Sequence, residues 1–223
     1  NAMFGKDLGG IQQAFVDYAE ALASLDHEVV CILNKKAKIL KELSLLKKKY
    51  PQKIIIKEVK NRGWWDVVAK LKLYFYLKTQ EPQAIIAHGN RPSSLLRMPA
   101  SKLNIPLISV AHNYLFGAIT KSNYAFAVSE DIKKILQQKY YPAEKVYKIP
   151  NLIRVDAEPT FKTRNEPIKI GVLARFVEKK GVDIFIRALD ILKKSGHEFS
   201  AVIAGEGEHK DKLVALHEKL NLQ

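Results

Sequence analysis

Apolar positions along this chain return with two periods that take turns from one end to the other. Short apolar runs of strand length cover His27 to Leu33, Lys53 to Val59, Gln83 to His88, Pro106 to Ala111, Ser122 to Val128, Lys145 to Ile149, Ile168 to Val172 and Phe199 to Ala204. Between them lie longer segments whose apolar residues recur every three or four positions. Ile11, Phe15, Tyr18, Leu22 and Leu25 make one such face, and Val182, Phe185, Ile186, Leu189 and Leu192 another. Further helices are predicted over Lys36 to Tyr50, Gly63 to Gln80, Ser93 to Asn104, Glu130 to Lys139 and His209 to Leu220. Ser129 caps the Glu130 helix, and Pro99 bends the one before it. Strands alternating with helices predict an α/β fold.

Punctuation divides the pattern. Arg154 to Pro167 holds two prolines and many polar residues and reads as a linker. The organisation predicted is a first domain over 4–153, a linker over 154–166 and part of a second domain over 167–223. Asn1-Ala2-Met3 resembles a tag-cleavage scar followed by an initiating methionine, so no strand is expected before Gly9. The Gly63 to Gln80 helix carries Trp64, Trp65, Tyr74, Phe75 and Tyr76, and packing against the sheet is their ordinary explanation.

Chemistry is expected in loops that follow strands, because open α/β sheets bind ligands at the carboxyl ends of their strands. Leu173 to Gly181 is such a loop and leads into a helix. Arg175 offers a planar fork for phosphate oxygens and Lys180 a compact point charge, beside a helix start whose free N–H groups favour an anion. Two solvated surface cations are the plain alternative. Gly9-Gly10 opens the first helix and would let a phosphate approach the backbone, or serve as a flexible turn. His88 and His112 end neighbouring strands and would lie near the same sheet edge. With the lone Cys31 in an apolar strand and no carboxylate partner, a metal site is disfavoured there.

These features, taken in order, resemble glycosyltransferase family 4. The matching residues are Gly9-Gly10, His112 after a strand, Val128-Ser129, Ile149-Pro150-Asn151, Arg175-x4-Lys180-Gly181 and Ala204-Gly205-Glu206-Gly207-Glu208. The resemblance implies a GT-B fold, a Rossmann-like N-terminal domain plus the first part of a second Rossmann-like domain. It implies transfer of a sugar, with retained configuration and no metal or cofactor, from a nucleotide-diphosphate donor to a saccharide or lipid-linked envelope acceptor. UDP is the default nucleotide. Arg175 and Lys180 would bind the donor phosphates with Gly9 and Gly10, His112 would lie beside the sugar, and Gly205, Glu206 and Gly207 would lie near the nucleotide. Leu152 stands where the family carries a glycine after the Pro-Asn pair.

Residues 167–223 fall short of the roughly 100–150 residues of a whole domain. The family's later pair of glutamates spaced eight apart has no counterpart. A dimer, a partner chain or the remainder of a longer chain would complete the second domain, and the chain alone is expected to be weak or inactive. A non-catalytic split or decayed transferase domain, acting as a binding module, is the alternative. Composition fits a soluble globular protein, with 47% hydrophobic and 27% charged residues. The net charge of +14 fits an anionic membrane surface better than nucleic acid, since no recognised nucleic-acid module is present. Solvated lysine faces would also account for it. The location implied is the cytoplasm, peripheral on the inner face of the membrane.

Overall fold

Parallel strands supply the frame of the first unit. The computed structural model describes residues 1–6, 9–152 and 167–222, and the chain divides into two compact units, Asn1–Arg154 and Val155–Gln223. The predicted linker 154–166 lies outside the described residues. The first unit comprises β1 (Ala2–Met3), α1 (Gly10–Ser24), β2 (Val29–Asn34), α2 (Leu40–Lys49), β3 (Ile54–Val59), α3 (Val67–Gln80), β4 (Ile85–His88), α4 (Asn90–Lys102), β5 (Leu107–Ala111), β6 (Tyr124–Ala127), α5 (Glu130–Lys139) and β7 (Val146–Lys148). Its seven strands pair in the order β3-β2-β1-β4-β5-β6-β7, all parallel. The order reverses between β1 and β4, which makes their carboxyl ends the switch point of the sheet.

One expectation is corrected here. Ala2 and Met3 are not outside the fold but form its central strand, paired Ala2↔Ile32 and Met3↔Leu33 on one side and Ala2↔Ala87 on the other. Both are buried, as is Phe4. A strand of two residues has no period to display, and apolar burial between β2 and β4 is what fixes it.

The pleat sends alternate side chains to opposite faces. Ala2, Ile32 and Ala87 meet Ala69, Leu73 and Leu77 of α3 and Leu95, Leu96 and Ala100 of α4. Met3, Cys31, Leu33 and Ile54 meet Phe15 and Ala19 of α1 and Leu43 and Leu46 of α2. A third cluster joins β5, β6 and β7 to Ile132 and Leu136 of α5. Cys31 is fully buried, and burial pushes its thiol up to about 11.

Helix α3 starts later than the sequence pattern suggests. Asp66 caps it by accepting from Ala69 N at 2.9 Å, and also accepts from Arg62 N at 2.9 Å. Trp64 and Trp65 therefore precede the helix and stand 64% and 56% exposed, so they do not pack on the sheet. Val67, Val68, Leu71 and Phe75 of α3 are exposed as well. Among the described residues, no helix is long and apolar enough to cross a membrane.

The second unit contains β8 (Ile168–Leu173), α6 (Val182–Lys194), β9 (Phe199–Ala204) and α7 (Lys210–Lys219). The two strands are parallel, in register from Ile168↔Phe199 to Leu173↔Ala204. Phe176, Val182, Ile186 and Leu213 form its core. Leu173 and Val202 stand 86% and 63% exposed, so this small sheet carries uncovered apolar side chains.

Leu73 lies in the α3 core and Leu71 on its outer face. Leu73→Ala is expected to lower the unfolding free energy by about 2–5 kcal/mol, and Leu71→Ala by less than about 0.5 kcal/mol. Urea unfolding followed by tryptophan fluorescence measures both.

Candidate functional site

At the switch point of the first unit, a cavity of about 250 Å³ lies among the carboxyl ends of β1, β4 and β5 and the starts of α1 and α4. Met3, Gln12, Asn90 and His112 are among its lining residues. His88 ends β4, and His112 follows β5 directly. Because these strands are neighbours in register, their terminal side chains meet: His88 Nδ1 lies 3.1 Å from His112 Nε2, and the rings stack with centroids 5.3 Å apart. On its other side, His88 Nε2 lies 2.8 Å from Asn1 Oδ1. Phe15 and Tyr18 of α1 set their rings edge-on to His88 at 5.7 and 5.0 Å.

This packing controls charge. Burial, helped by His112 and then by the Asn1 amino group, holds His88 well below the usual histidine range. Burial pushes His112 down to about 4. Both rings are neutral near pH 7. Asn90 fastens the loop after His112 by donating from Nδ2 to Leu115 O at 2.6 Å and accepting from Ile119 N at 3.4 Å. Arg91 donates to Phe4 O at 3.4 Å and ties α4 to the end of the central strand.

Gly9 precedes α1 in an extended conformation, and α1 begins at Gly10. A β-carbon on Gly10 would meet nothing within 4 Å. The backbone here is open to approach, and Gly10 is not demanded by internal crowding.

In the second unit, Arg175 and Lys180 occupy the loop between β8 and α6. Both are exposed, and neither makes an ion pair among the described residues. A 3₁₀ turn over Glu178–Lys180 and Gly181 lead into α6, whose first turn leaves backbone N–H groups without helical partners. The loop is held from below by the β9–α7 connection. Phe176 N donates to Glu206 O at 2.8 Å, Ala174 N to Ala204 O at 3.1 Å, and His209 N to Phe176 O at 3.0 Å. Gly205 and Gly207 make this approach feasible. A β-carbon on Gly205 would lie 1.9 Å from Ala174 O, and one on Gly207 would lie 2.4 Å from Phe176 O. Their lack of side chains serves loop-to-loop packing, a role that the sequence pattern alone did not reveal. The Glu206 carboxylate pairs with Lys210 at 2.9 Å.

The structure thus brings His88 and His112 together in the first unit, and docks Gly205 to Gly207 against the Arg175 loop in the second. Sequence reasoning missed Asn1, Asn90 and Arg91, which act through side-chain bonds to distant backbone or ring atoms and leave no local period. Among the described residues, no group of three or more His, Cys, Asp and Glu side chains could hold a metal ion.

Two outcomes follow from this geometry. Gly207→Ala should destabilise the second unit by about 1–3 kcal/mol through overpacking, whereas Gly10→Ala should change the first by less than about 0.5 kcal/mol; thermal unfolding reads both. His112 has a folded pKa depressed from 6.5 to about 4, so the unfolded chain binds the extra proton first. Stability is therefore full above pH 6.5 and falls as pH drops towards 4, with His112 contributing a loss of about 3 kcal/mol. Urea titrations between pH 7 and pH 4 test this, and His112→Asn should flatten the dependence.

Residues 8–157 match the model of Glycosyltransferase Family 4, and residues 156–223 match that of Glycosyl transferases group 1. A search of curated proteins returned no match. Among solved structures, a glycosyltransferase from Rickettsia africae ESF-5 aligns with all of this chain and 65% of its own, at 16% identity and a TM-score of 0.76. Anabaena Alr3699/HepE in complex with UDP-glucose aligns with all of this chain and 65% of its own, at 15% identity and a TM-score of 0.74. The apo form of the lipopolysaccharide outer core galactosyltransferase WaaB aligns with 99% of this chain and 65% of its own, at 16% identity and a TM-score of 0.66. The chain spans about 65% of the length of these structures, and the likeness gives it the GT-B fold. With most of its length matched by one family model, the chain belongs to glycosyltransferase family 4.

Proposed function

We propose that this chain serves transfer of a sugar from a nucleotide-diphosphate donor, with UDP as the nucleotide, to a saccharide or lipid-linked envelope acceptor. The observation that carries this reading is the pair of exposed cations, Arg175 and Lys180, on a loop that is packed into place ahead of α6. In the reaction, the bond from the anomeric carbon to the diphosphate oxygen breaks, and one from that carbon to the acceptor oxygen forms. The acceptor hydroxyl loses its proton. Negative charge grows on the departing diphosphate and must be met by donors already in place. Arg175 and Lys180 supply charge-assisted contacts, and the free N–H groups at the start of α6 add a favourable dipole. Gly9 and Gly10 leave open backbone for a second phosphate contact. His112 lies beside the sugar, and Gly205 to Gly207 lie near the nucleotide. Retention of anomeric configuration, without a metal, is carried over from the family.

Two further features support finer parts of this reading. Anabaena Alr3699/HepE was solved with UDP and with UDP-glucose, which favours UDP over other nucleotides. The exposed Leu173 and Val202 favour a covering element, from a second copy, another chain or further residues of a longer chain, so weak turnover is expected of residues 1–223 by themselves. Around α3, exposed Trp64, Trp65, Leu71 and Phe75 stand among Lys60, Arg62, Lys70 and Lys72. Apolar rings flanked by cations suit the interface of an anionic bilayer, and we assign this face to peripheral membrane contact on the cytoplasmic side.

Calorimetric titration with UDP, GDP and ADP tests the donor site. UDP should bind most tightly, and Arg175→Ala should weaken it by about 1.5–3 kcal/mol, roughly tenfold to a hundredfold. Unchanged UDP affinity in the variant would remove Arg175 from the donor site. Sedimentation with phosphatidylglycerol vesicles tests the membrane face: Trp64→Ala with Trp65→Ala should cut the bound fraction several-fold, and added salt should cut it further. Equal binding to neutral phosphatidylcholine vesicles would count against it.

A further inference from the structure

The amino ends of β5 and β6 border a recess of about 870 Å³, at the opposite end of β5 from His112. Three cations line it: Arg97 and Lys102 on α4, and Lys121 in the 3₁₀ turn before β6. All three are exposed, and none makes an ion pair among the described residues. No Asp or Glu is among the lining residues. Like charges held around one recess repel one another, and an anion seated among them turns that repulsion into attraction.

The neutral groups have the same bias. Helix α4 closes in a Schellman turn, with Asn104 in the left-handed region at φ 55°. Asn104 N donates to Ser101 O at 3.4 Å and Ile105 N to Ala100 O at 3.0 Å, so these terminal carbonyls are engaged. Pro106 O accepts from Ile85 N at 2.9 Å. Asn123 is clamped to the start of β5 by two bonds: its N donates to Leu107 O at 2.9 Å, and its Oδ1 accepts from Leu107 N at 2.9 Å. A backbone N–H can only donate, so the amide oxygen must face it, and Nδ2 is the end left over. Asn123 thus brings two N–H donors that have no partner among the described residues. Donors are in surplus here, and the acceptors beside them are spent.

We propose that this recess is an anion site, separate from the Arg175 loop, that holds a phosphate group through Arg97, Lys121 and Asn123 Nδ2. Arg97 supplies a planar fork, Lys121 a point charge and Asn123 a directed neutral donor, while Lys102 adds attraction at longer range. A phosphate has enough oxygens to meet all of these donors at once, whereas a planar carboxylate has two. Half-buried Met98 and Ile105 leave an apolar wall for the group that the phosphate esterifies. A soluble phosphate ester and a lipid headgroup present the same chemistry to such a site.

The test uses the whole chain carrying Arg175→Ala, which removes the donor-loop cation. Its ¹⁵N–¹H spectrum is followed through a titration with inorganic phosphate at low salt. The side-chain amide signals of Asn123 should move and saturate. Adding Arg97→Ala with Lys121→Ala should weaken that binding roughly tenfold or more. Lys47→Ala with Lys48→Ala removes the same charge from exposed positions of α2 and should change it by less than about twofold. Sedimentation with phosphatidylglycerol vesicles separates the two sources. Vesicle binding indifferent to the Arg97 and Lys121 pair identifies a soluble ester, and vesicle binding lowered by that pair alone identifies a headgroup. Equal weakening by both pairs overturns the proposal, because net charge then accounts for the binding. So does an Asn123 signal that phosphate leaves unmoved while vesicle binding is indifferent to the Arg97 and Lys121 pair.

Discussion

The larger sheet is continuous only through the backbone of Ala2 and Met3. On one side β1 pairs with β2, on the other with β4, and no other pairing joins those two strands among the described residues. Its register therefore sets where the carboxyl ends of β2 and β4 stand relative to one another, and with them the starts of α2 and α4. The same two residues divide the core. Ala2 belongs to the layer beneath α3 and α4, and Met3 to the layer beneath α1 and α2. A slip of one residue would exchange a methyl for a thioether in both layers, which a close-packed interior does not tolerate. The cavity at the switch point and the histidines beside it inherit their positions from this junction.

The elements with several turns or four or more strand residues were legible in the sequence, because burial of one face imposes a period that composition cannot hide. β5, β6, α5 and α6 lie within two residues of the positions read from periodicity. The nearness of His88 and His112 was legible too, as the ends of neighbouring strands, while their direct contact was not. What could not be read follows from contacts without periodicity. β1 is too short to alternate, and Asn1-Ala2-Met3 shows no period from which a strand could be read. Trp64 and Trp65 continue the helical apolar pattern, yet Asp66 starts the helix after them, since a cap overrides a pattern that reaches beyond it. Gly205 and Gly207 read as neighbours of a nucleotide, and the crowding against the backbone of Ala174 and Phe176 that demands glycine there shows in no local pattern.

The two units place opposite electrostatics at the ends of their strands. In the first, the two histidines beside the cavity are desolvated and neutral, while Arg91 at its edge is exposed. In the second, the loop is solvated and cationic, with Arg175 and Lys180 free of acidic partners among the described residues while Glu206 is occupied by Lys210. Exposed cations suit an anion, and a desolvated neutral pair does not.

The docking of the β9–α7 connection against the Arg175 loop has a mechanical consequence. Backbone bonds at Ala174, Phe176 and His209, together with two glycines packed against carbonyl groups, leave no slack between these segments. They behave as one plate, so any displacement of Arg175 carries Glu206 and the start of α7 with it. An anion arriving at this loop would meet a surface whose backbone is already ordered, and little of its binding energy would be consumed in arranging the receptor. Flexibility is left to the side chains of Arg175 and Lys180, which can follow a moving charge while the plate beneath them stays still.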